Sequence, residues 1–291
     1  MTILIGLAPD ERGAAPLQLG LLLARSSGED VQVVTVLPTP WPPRPRLADA
    51  EYRALVQSLA QDAQEAAKKQ VGDTVPAAYR IEDARSVPSG LLRVAQEGRT
   101  SAMVLGSSAG AGLLRVGLGG VAERVVHSCH MPVYLSPNGF RCAPSIRVPR
   151  VTVGFGRSDQ ASDLMSTSTA LSAQLGARLR VACFAVRPMD TYSGSIEPEA
   201  EDLVVDEWMA QLAPSIHRAL ASSDAPMSAD IVAGQGTTWT EALADAAWLD
   251  GELLAVGSTV SVLKSVLPGS HASKIVRHSP VPVVLMPRTV T

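Results

Sequence analysis

The stretch Met103–Pro137, MVLGSSAGAGLLRVGLGGVAERVVHSCHMPVYLSP, returns as Leu254–Pro287, LAVGSTVSVLKSVLPGSHASKIVRHSPVPVVLMP. Each copy opens on an apolar run ending in Gly-Ser, at Gly106 and Gly257, and closes on an apolar run after Pro132 and Pro282. Between those landmarks the second copy is one residue shorter. The beginnings of the halves also match: ILIGL at Ile3–Leu7 and VTVGF at Val151–Phe155 both carry Gly at the fourth place. Two similar halves imply two copies of one domain, so function must be built from that unit or from its pairing. Residues 1–137 form the first copy, 138–149 a linker and 150–291 the second. The linker lies within the Pro/Gly-rich piece SPNGFRCAPSIRVP, Ser136–Pro149, which is turn-rich and aperiodic.

Outward from that stretch, short β-branched runs alternate with longer amphipathic segments, the pattern of βαβ units and a parallel sheet. Strands are expected at Ile3–Leu7, Val31–Leu37, Ala77–Glu82, Ala102–Gly106 and Val133–Leu135. In the second half they are expected at Val151–Phe155, Leu179–Ala185, Ser228–Val232, Leu253–Val256 and Val283–Met286. They are nearly all apolar, as strands covered by helices on both faces must be. Leu17, Leu21 and Ala24 share one helical face, Leu55, Leu59, Ala63 and Ala66 a second, and Leu91, Val94 and Ala95 a third; Val121–Val126 carries a fourth helix. The second half predicts helices over Ala161–Gln174, Glu199–Ala221, Thr238–Trp248 and Ser270–Arg277, with Pro214 kinking or splitting the second. The fold class is therefore α/β: two tandem doubly wound domains, each a five-stranded parallel sheet with helices on both faces.

Composition excludes several classes. With 291 residues, 46% of them apolar and 18% charged, the chain can bury two cores, so disorder is not expected. A net charge of −3 without a basic stripe offers nothing to nucleic acid or to anionic lipid. No apolar run approaches a membrane span, and Asp10, Glu11 and Arg12 interrupt the N-terminal apolar residues where a signal peptide would continue. Cys129, Cys142 and Cys183 show no framework spacing, which fits a reducing cytoplasm.

The chemistry should lie after the fourth strand of each half. Gly106 stands at a strand end, and Gly117, Gly119 and Gly120 stand where the next helix begins. Glycines there let backbone N–H groups approach an anion, and the helix dipole favours negative charge. The second copy offers Gly257-Ser258-Thr259 and Gly269-Ser270-His271, Ser270 also being a good N-cap. The simpler account is that the glycines only make a tight turn. A Pro-rich insert, Pro38–Arg46, follows the second strand at the ligand-binding edge of such sheets and reads as an extended surface loop.

At these residues the chain resembles the universal stress protein family, as a tandem of two UspA-type domains. The resemblance spans the whole chain: an apolar opening strand, a V-x-G-S strand end, a Gly-rich loop, a G-S/T-x-A helix start and a closing P-V-x-V strand. It implies a Rossmann-like fold of the adenine nucleotide alpha-hydrolase kind. It also implies an ATP or other adenine-nucleotide site with a G-x-x-G, nine residues, G-S/T motif. Nucleotide-contacting positions are then implied at Ala8, Val36, Gly106, Ser107, Gly112, Gly119, Gly120 and Val121. Their counterparts in the second half are Gly156, Arg157, Gly257, Ser258, Gly269, Ser270 and His271. The motif is degenerate: Ala109 and Val260 replace its intermediate glycine, Gly120 replaces the final Ser/Thr, and Ala8 and Gly156 stand where nucleotide-binding members carry a carboxylate. A weakened site is expected, better kept in the first half, whose loop has full length. The resemblance further implies pairing of the two halves through their closing strands, homodimerisation of the tandem and a regulatory protein partner. An apolar edge strand in each half demands such cover on its own account.

Three other chemistries are weaker. Gly106-Ser107-Ser108-Ala109-Gly110 fits G-x-S-x-G, with Asp163 and His271 or His278 downstream in hydrolase order, but the loose Ala109–Gly112 cannot start the required helix. Ser261-Val-Leu-Lys264 fits S-x-x-K without its partner motifs. His127, Cys129 and His130 cluster without a fourth ligand, so no metal is expected. The expectation is a regulatory binding protein rather than an enzyme. The competing reading is an interaction module with decayed clefts.

Overall fold

A computed structural model of the chain describes residues 1–39, 47–108, 110, 112–156, 161–187, 198–223, 229–257 and 271–287. The first half runs β1 (Thr2–Gly6), α1 (Ala14–Ser27), β2 (Asp30–Pro38), α2 (Leu47–Val71), β3 (Ala77–Ala84), α3 (Val87–Glu97), β4 (Thr100–Gly106), α4 (Gly120–Ser128), β5 (Val133–Ser136). The second runs β6 (Arg150–Gly154), α5 (Ala161–Leu175), β7 (Arg178–Val186), α6 (Pro198–Ala221), β8 (Asp230–Gly236), α7 (Trp239–Asp245), β9 (Leu253–Gly257), α8 (His271–His278), β10 (Val283–Met286).

Each half is a parallel sheet of five strands, and the two are joined edge to edge in the order β3-β2-β1-β4-β5-β10-β9-β6-β7-β8. The join alone is antiparallel, with Val283 opposite Leu135, Val284 opposite Tyr134 and Leu285 opposite Val133. Head-on pairing of equivalent strands makes the halves related by a pseudo-twofold axis, and it covers the apolar edges expected to need it.

Strand alternation sends Ile3 and Ile5 to one face and Leu4 to the other, and the same split recurs in β9 and β10. On one face α1 and α5 bury Leu17, Leu22, Leu171 and Leu175 against strands of both halves. The opposite face carries α3, α4, α7 and α8 over a second shared core. A core continuous across the joint makes the halves one packed body. The linker contributes Phe140 and Val148 to it, and the Val148 N–H donates to Ser26 Oγ at 2.9 Å. The three cysteines are free thiols.

Four details differ from the sequence-based expectation. The eighth strand covers Asp230–Gly236 rather than Ser228–Val232, because its second part, Ala233-Gly234-Gln235-Gly236, has no β-branched residue to signal it. On α2 the buried face is Ala60, Gln64, Ala67 and Val71, whereas Leu55 and Leu59 are 58% and 45% exposed. The periodicity misleads because a polar residue holds the core face: Gln64 Nε2 donates to Thr35 Oγ1 at 2.9 Å, inside the sheet. Pro214 does not split α6, which runs unbroken from Pro198 to Ala221, with Leu212, Ile216, Ala219 and Leu220 buried on both sides of it. Packing of that face outweighs the single backbone hydrogen bond a helix proline forfeits. Finally, α7 ends at Asp245 rather than Trp248. A buried polar cluster stops it. Arg180 Nη1 donates to the Ala246 carbonyl at 2.5 Å, and Trp248 Nε1 to that of Leu243. Ala247, next in line, is left with φ of 48°.

The centre of that cluster is Glu252, fully buried, which receives Arg180 Nη2 at 2.8 Å, Arg150 Nη2 at 2.7 Å and the Thr152 hydroxyl. Burial lowers the Arg180 pKa below its ordinary value, opposed by the Glu252 carboxylate. The Trp248 ring lies 5.0 Å from the guanidinium carbon.

Candidate functional site

In the first half the strand order reverses between β1 and β4, the switch point at whose carboxyl edge open α/β sheets bind ligands. A cleft of about 370 Å³ opens there, within the size range of small-molecule sites. Ala8 and Gly106 line it from the ends of β1 and β4, Val34 and Val36 from β2, Val87 and Leu91 from α3. Gly119, Gly120, Val121 and Ala122 close it with the start of α4.

The glycines have distinct roles. A Cβ at Gly106 would sit 3.4 Å from the Pro16 ring, and one at Gly119 3.0 Å from Ser108 Cβ, so both positions let chain segments approach closely. Gly120 faces open space, and a side chain there would meet nothing within 4 Å. The N-cap of α4, Gly119, supplies no side-chain hydrogen bond. The first N–H groups of the helix therefore have no side-chain acceptor and carry the positive end of its dipole.

The loop between β4 and α4 is stapled from beneath. Ser107 Oγ donates to the Ser136 carbonyl at 2.7 Å and accepts the Gly117 N–H at 3.0 Å. Backbone bonds join Ser108 N–H to the Gly117 carbonyl, Leu114 N–H to the Asn138 carbonyl and Asn138 N–H to the Arg115 carbonyl. Leu114 is held at φ of 54°, an uncommon backbone state for a leucine. Ser107 thus lines the cleft while its hydroxyl serves the loop.

Of the positions implied in the first half, Ala8, Val36, Gly106, Ser107, Gly119, Gly120 and Val121 come together around the cleft, whereas Gly112 lies away from its lining on the exposed outer part of the loop. Residues missed from the sequence are Arg12, Pro16, Val34, Val87 and Leu91. Val34 was legible as the residue two before Val36 on the same strand face, and Val87 and Leu91 as an i, i+4 pair on α3. Arg12 Nη2 lies 2.5 Å from Asp10 Oδ2. The hydrogen bond between them raises the Arg12 pKa and lowers that of Asp10.

Ser108 borders the cleft, but the next helix begins only at Gly120, so the strand-to-helix elbow of a serine hydrolase is not formed. Among the described residues no cluster of His, Cys, Asp and Glu could hold a metal ion.

With that geometry in place, comparison with known proteins decides the family. The universal stress protein family matches twice, over residues 1–137 and 148–287. The chain belongs to the universal stress protein family. It is 33% identical over 297 residues to a universal stress protein of Mycobacterium bovis and to one of Mycobacterium tuberculosis, covering 99% of this chain and 100% of each relative. A crystallised universal stress protein of Archaeoglobus fulgidus shares the fold at 16% identity, with a TM-score of 0.60 over 99% of this chain and 97% of that one.

In the second half of this tandem stress protein, Gly257 ends β9, His271 opens α8 and Gly156 follows β6. Arg157, Ser258, Gly269 and Ser270 lie outside the described residues, as do Ser261 and Lys264 and all of the Pro-rich insert beyond Thr39. No described helix is long and apolar enough to cross a membrane.

Proposed function

We propose that the protein is a non-catalytic, cytoplasmic regulatory module of the stress response that binds an adenine nucleotide in the cleft of its first half. The observation that carries this reading is the helix start at Gly119–Gly120, whose N–H groups border a mostly apolar cleft at the sheet's switch point. An apolar wall from Val34, Val36, Val87 and Leu91 suits a flat base, and the N–H groups at the head of α4 suit a phosphate. Family membership supports the same ligand class, since many universal stress proteins bind ATP. The affinity is expected to be modest, because Ala8 and Gly120 withdraw two polar contacts worth about 1 kcal/mol each. Occupancy would act through the β4–α4 loop, whose Leu114 N–H donates to the linker carbonyl of Asn138 and whose Arg115 side chain donates to the His278 carbonyl of the second half. The test is a thermal-shift titration of the full chain with ATP and AMP up to millimolar concentration. Stabilisation growing with ligand concentration is expected. No shift at any concentration would leave the competing reading, an interaction module with decayed clefts.

A further inference from the structure

The two halves correspond strand by strand: β1 and β6 are both five residues long, and β2 and β7 both nine. Gly6 pairs with Val34 as Gly154 pairs with Ala182. Val36 and Phe184 are then equivalent, each the seventh residue of its strand. The helices after the third strand of each half, α3 and α7, begin alike, Ser86 capping the Ser89 N–H and Thr238 the Glu241 N–H. That equates Val87 with Trp239, the first residue of each helix. The motif glycines Gly119 and Gly269 equate Val121 with His271.

Three valines that border the open cleft of the first half are therefore three rings in the second. Phe184 is only 8% exposed and packs with Leu243 and Val256, and Trp239 lies against the same cluster. The Trp239 and His271 rings meet edge to face with centroids 5.3 Å apart. The Lys274 ammonium stands 5.8 Å from the Trp239 ring centre, a cation over an aromatic face. The counterparts Val36 and Val87 border empty volume.

We propose that Phe184, Trp239 and His271 occupy the base-binding space of the second half, so that the chain takes one adenine nucleotide and takes it in the first half. This rests on the functional reading above and adds which half is open and which residues decide it. Phe184 is buried, Trp239 half-buried and His271 exposed at the head of α8, so the rings fill that space from the core outward and leave the first cleft as the ligand-responsive element.

Native mass spectrometry of the full chain with ATP tests the count, and two variants test the place. Val87→Trp copies one ring into the first cleft at a half-buried helix start, and Val121→His copies another at a residue 36% exposed, so at least one variant should fold. One adduct is expected for the unaltered chain, with at least a tenfold loss of binding in each folded variant. Two adducts, or one adduct that persists undiminished in both variants, would overturn the assignment while leaving nucleotide binding intact. No adduct in the unaltered chain would instead overturn the functional reading, and this proposal with it.

Discussion

Arg115 Nη1 donates to the backbone carbonyl of His278 at 2.8 Å, tying the loop that rims the first cleft to the last helix of the second half. Arg115 is in that loop, His278 ends α8, and the His278 ring in turn meets Thr240 Oγ1 on α7 at 3.0 Å. A ligand that orders the loop therefore loads a contact crossing between the halves. Arg115→Ala should destabilise the full chain by about 1.5 kcal/mol, the lower end for a charged donor at a half-buried site. Chemical denaturation with an unchanged m-value is the check, and equal midpoints for variant and parent would remove the link from the account.

The same contact shapes a pH response. Burial, followed by the positive charges of Arg115 and Arg277, holds the His278 pKa below its ordinary value of 6.5. The unfolded chain then binds a proton on His278 that the folded chain refuses, so stability is full above about 6.5 and falls as pH drops from there towards the folded value. Proton NMR titration should place the imidazole below 6.5. His278→Gln should reduce the loss of stability between neutral pH and the folded-state pKa. A pKa at or above that of an exposed histidine would refute this.

Glu252 supports two guanidinium groups at once, so removing it leaves both without their carboxylate. Glu252→Ala should cost about 3–5 kcal/mol, as the loss of one partner from a buried ion pair does. Circular dichroism against denaturant would read this as a large fall in midpoint. A change under about 1 kcal/mol would mean that Arg150 and Arg180 find water instead.

Gly120 stands where the family motif has a hydroxyl, and the space beside it is open. Gly120→Ser should fold as the parent does and tighten nucleotide binding between about twofold and tenfold, the worth of one added hydrogen bond. Calorimetric titration decides it. Weaker binding would show that the phosphate lies elsewhere.

Much of this protein could be read from its residues. Nine of the ten strands fall where the apolar runs place them, β8 being shifted to Asp230–Gly236, and the pairing of Val133–Leu135 with Val283–Met286 follows from two apolar edges that cannot both stay open. What periodicity could not supply was the register of that join, Val284 opposite Tyr134, because edge pairing across halves leaves no local pattern. Gln64 hid the core face of α2 because its partners, Thr35 and the carbonyls of Val33 and Arg80, lie on strands distant in sequence. Arg180, Arg150 and Glu252 hid the end of α7 for the same reason. At the cleft, a motif anchored on glycines located the β4 end and the head of α4. The apolar wall from Val34, Val87 and Leu91 needed the packing of α3 on β2 to become visible.

The most direct measurement is a methyl NMR titration of the full chain, with leucine and valine methyls labelled and ATP added to millimolar concentration. The account predicts saturable shifts at Val36, Val87, Leu91, Leu105 and Val121, five of the seven leucines and valines that line the first cleft. Unmoved resonances at all five would contradict it.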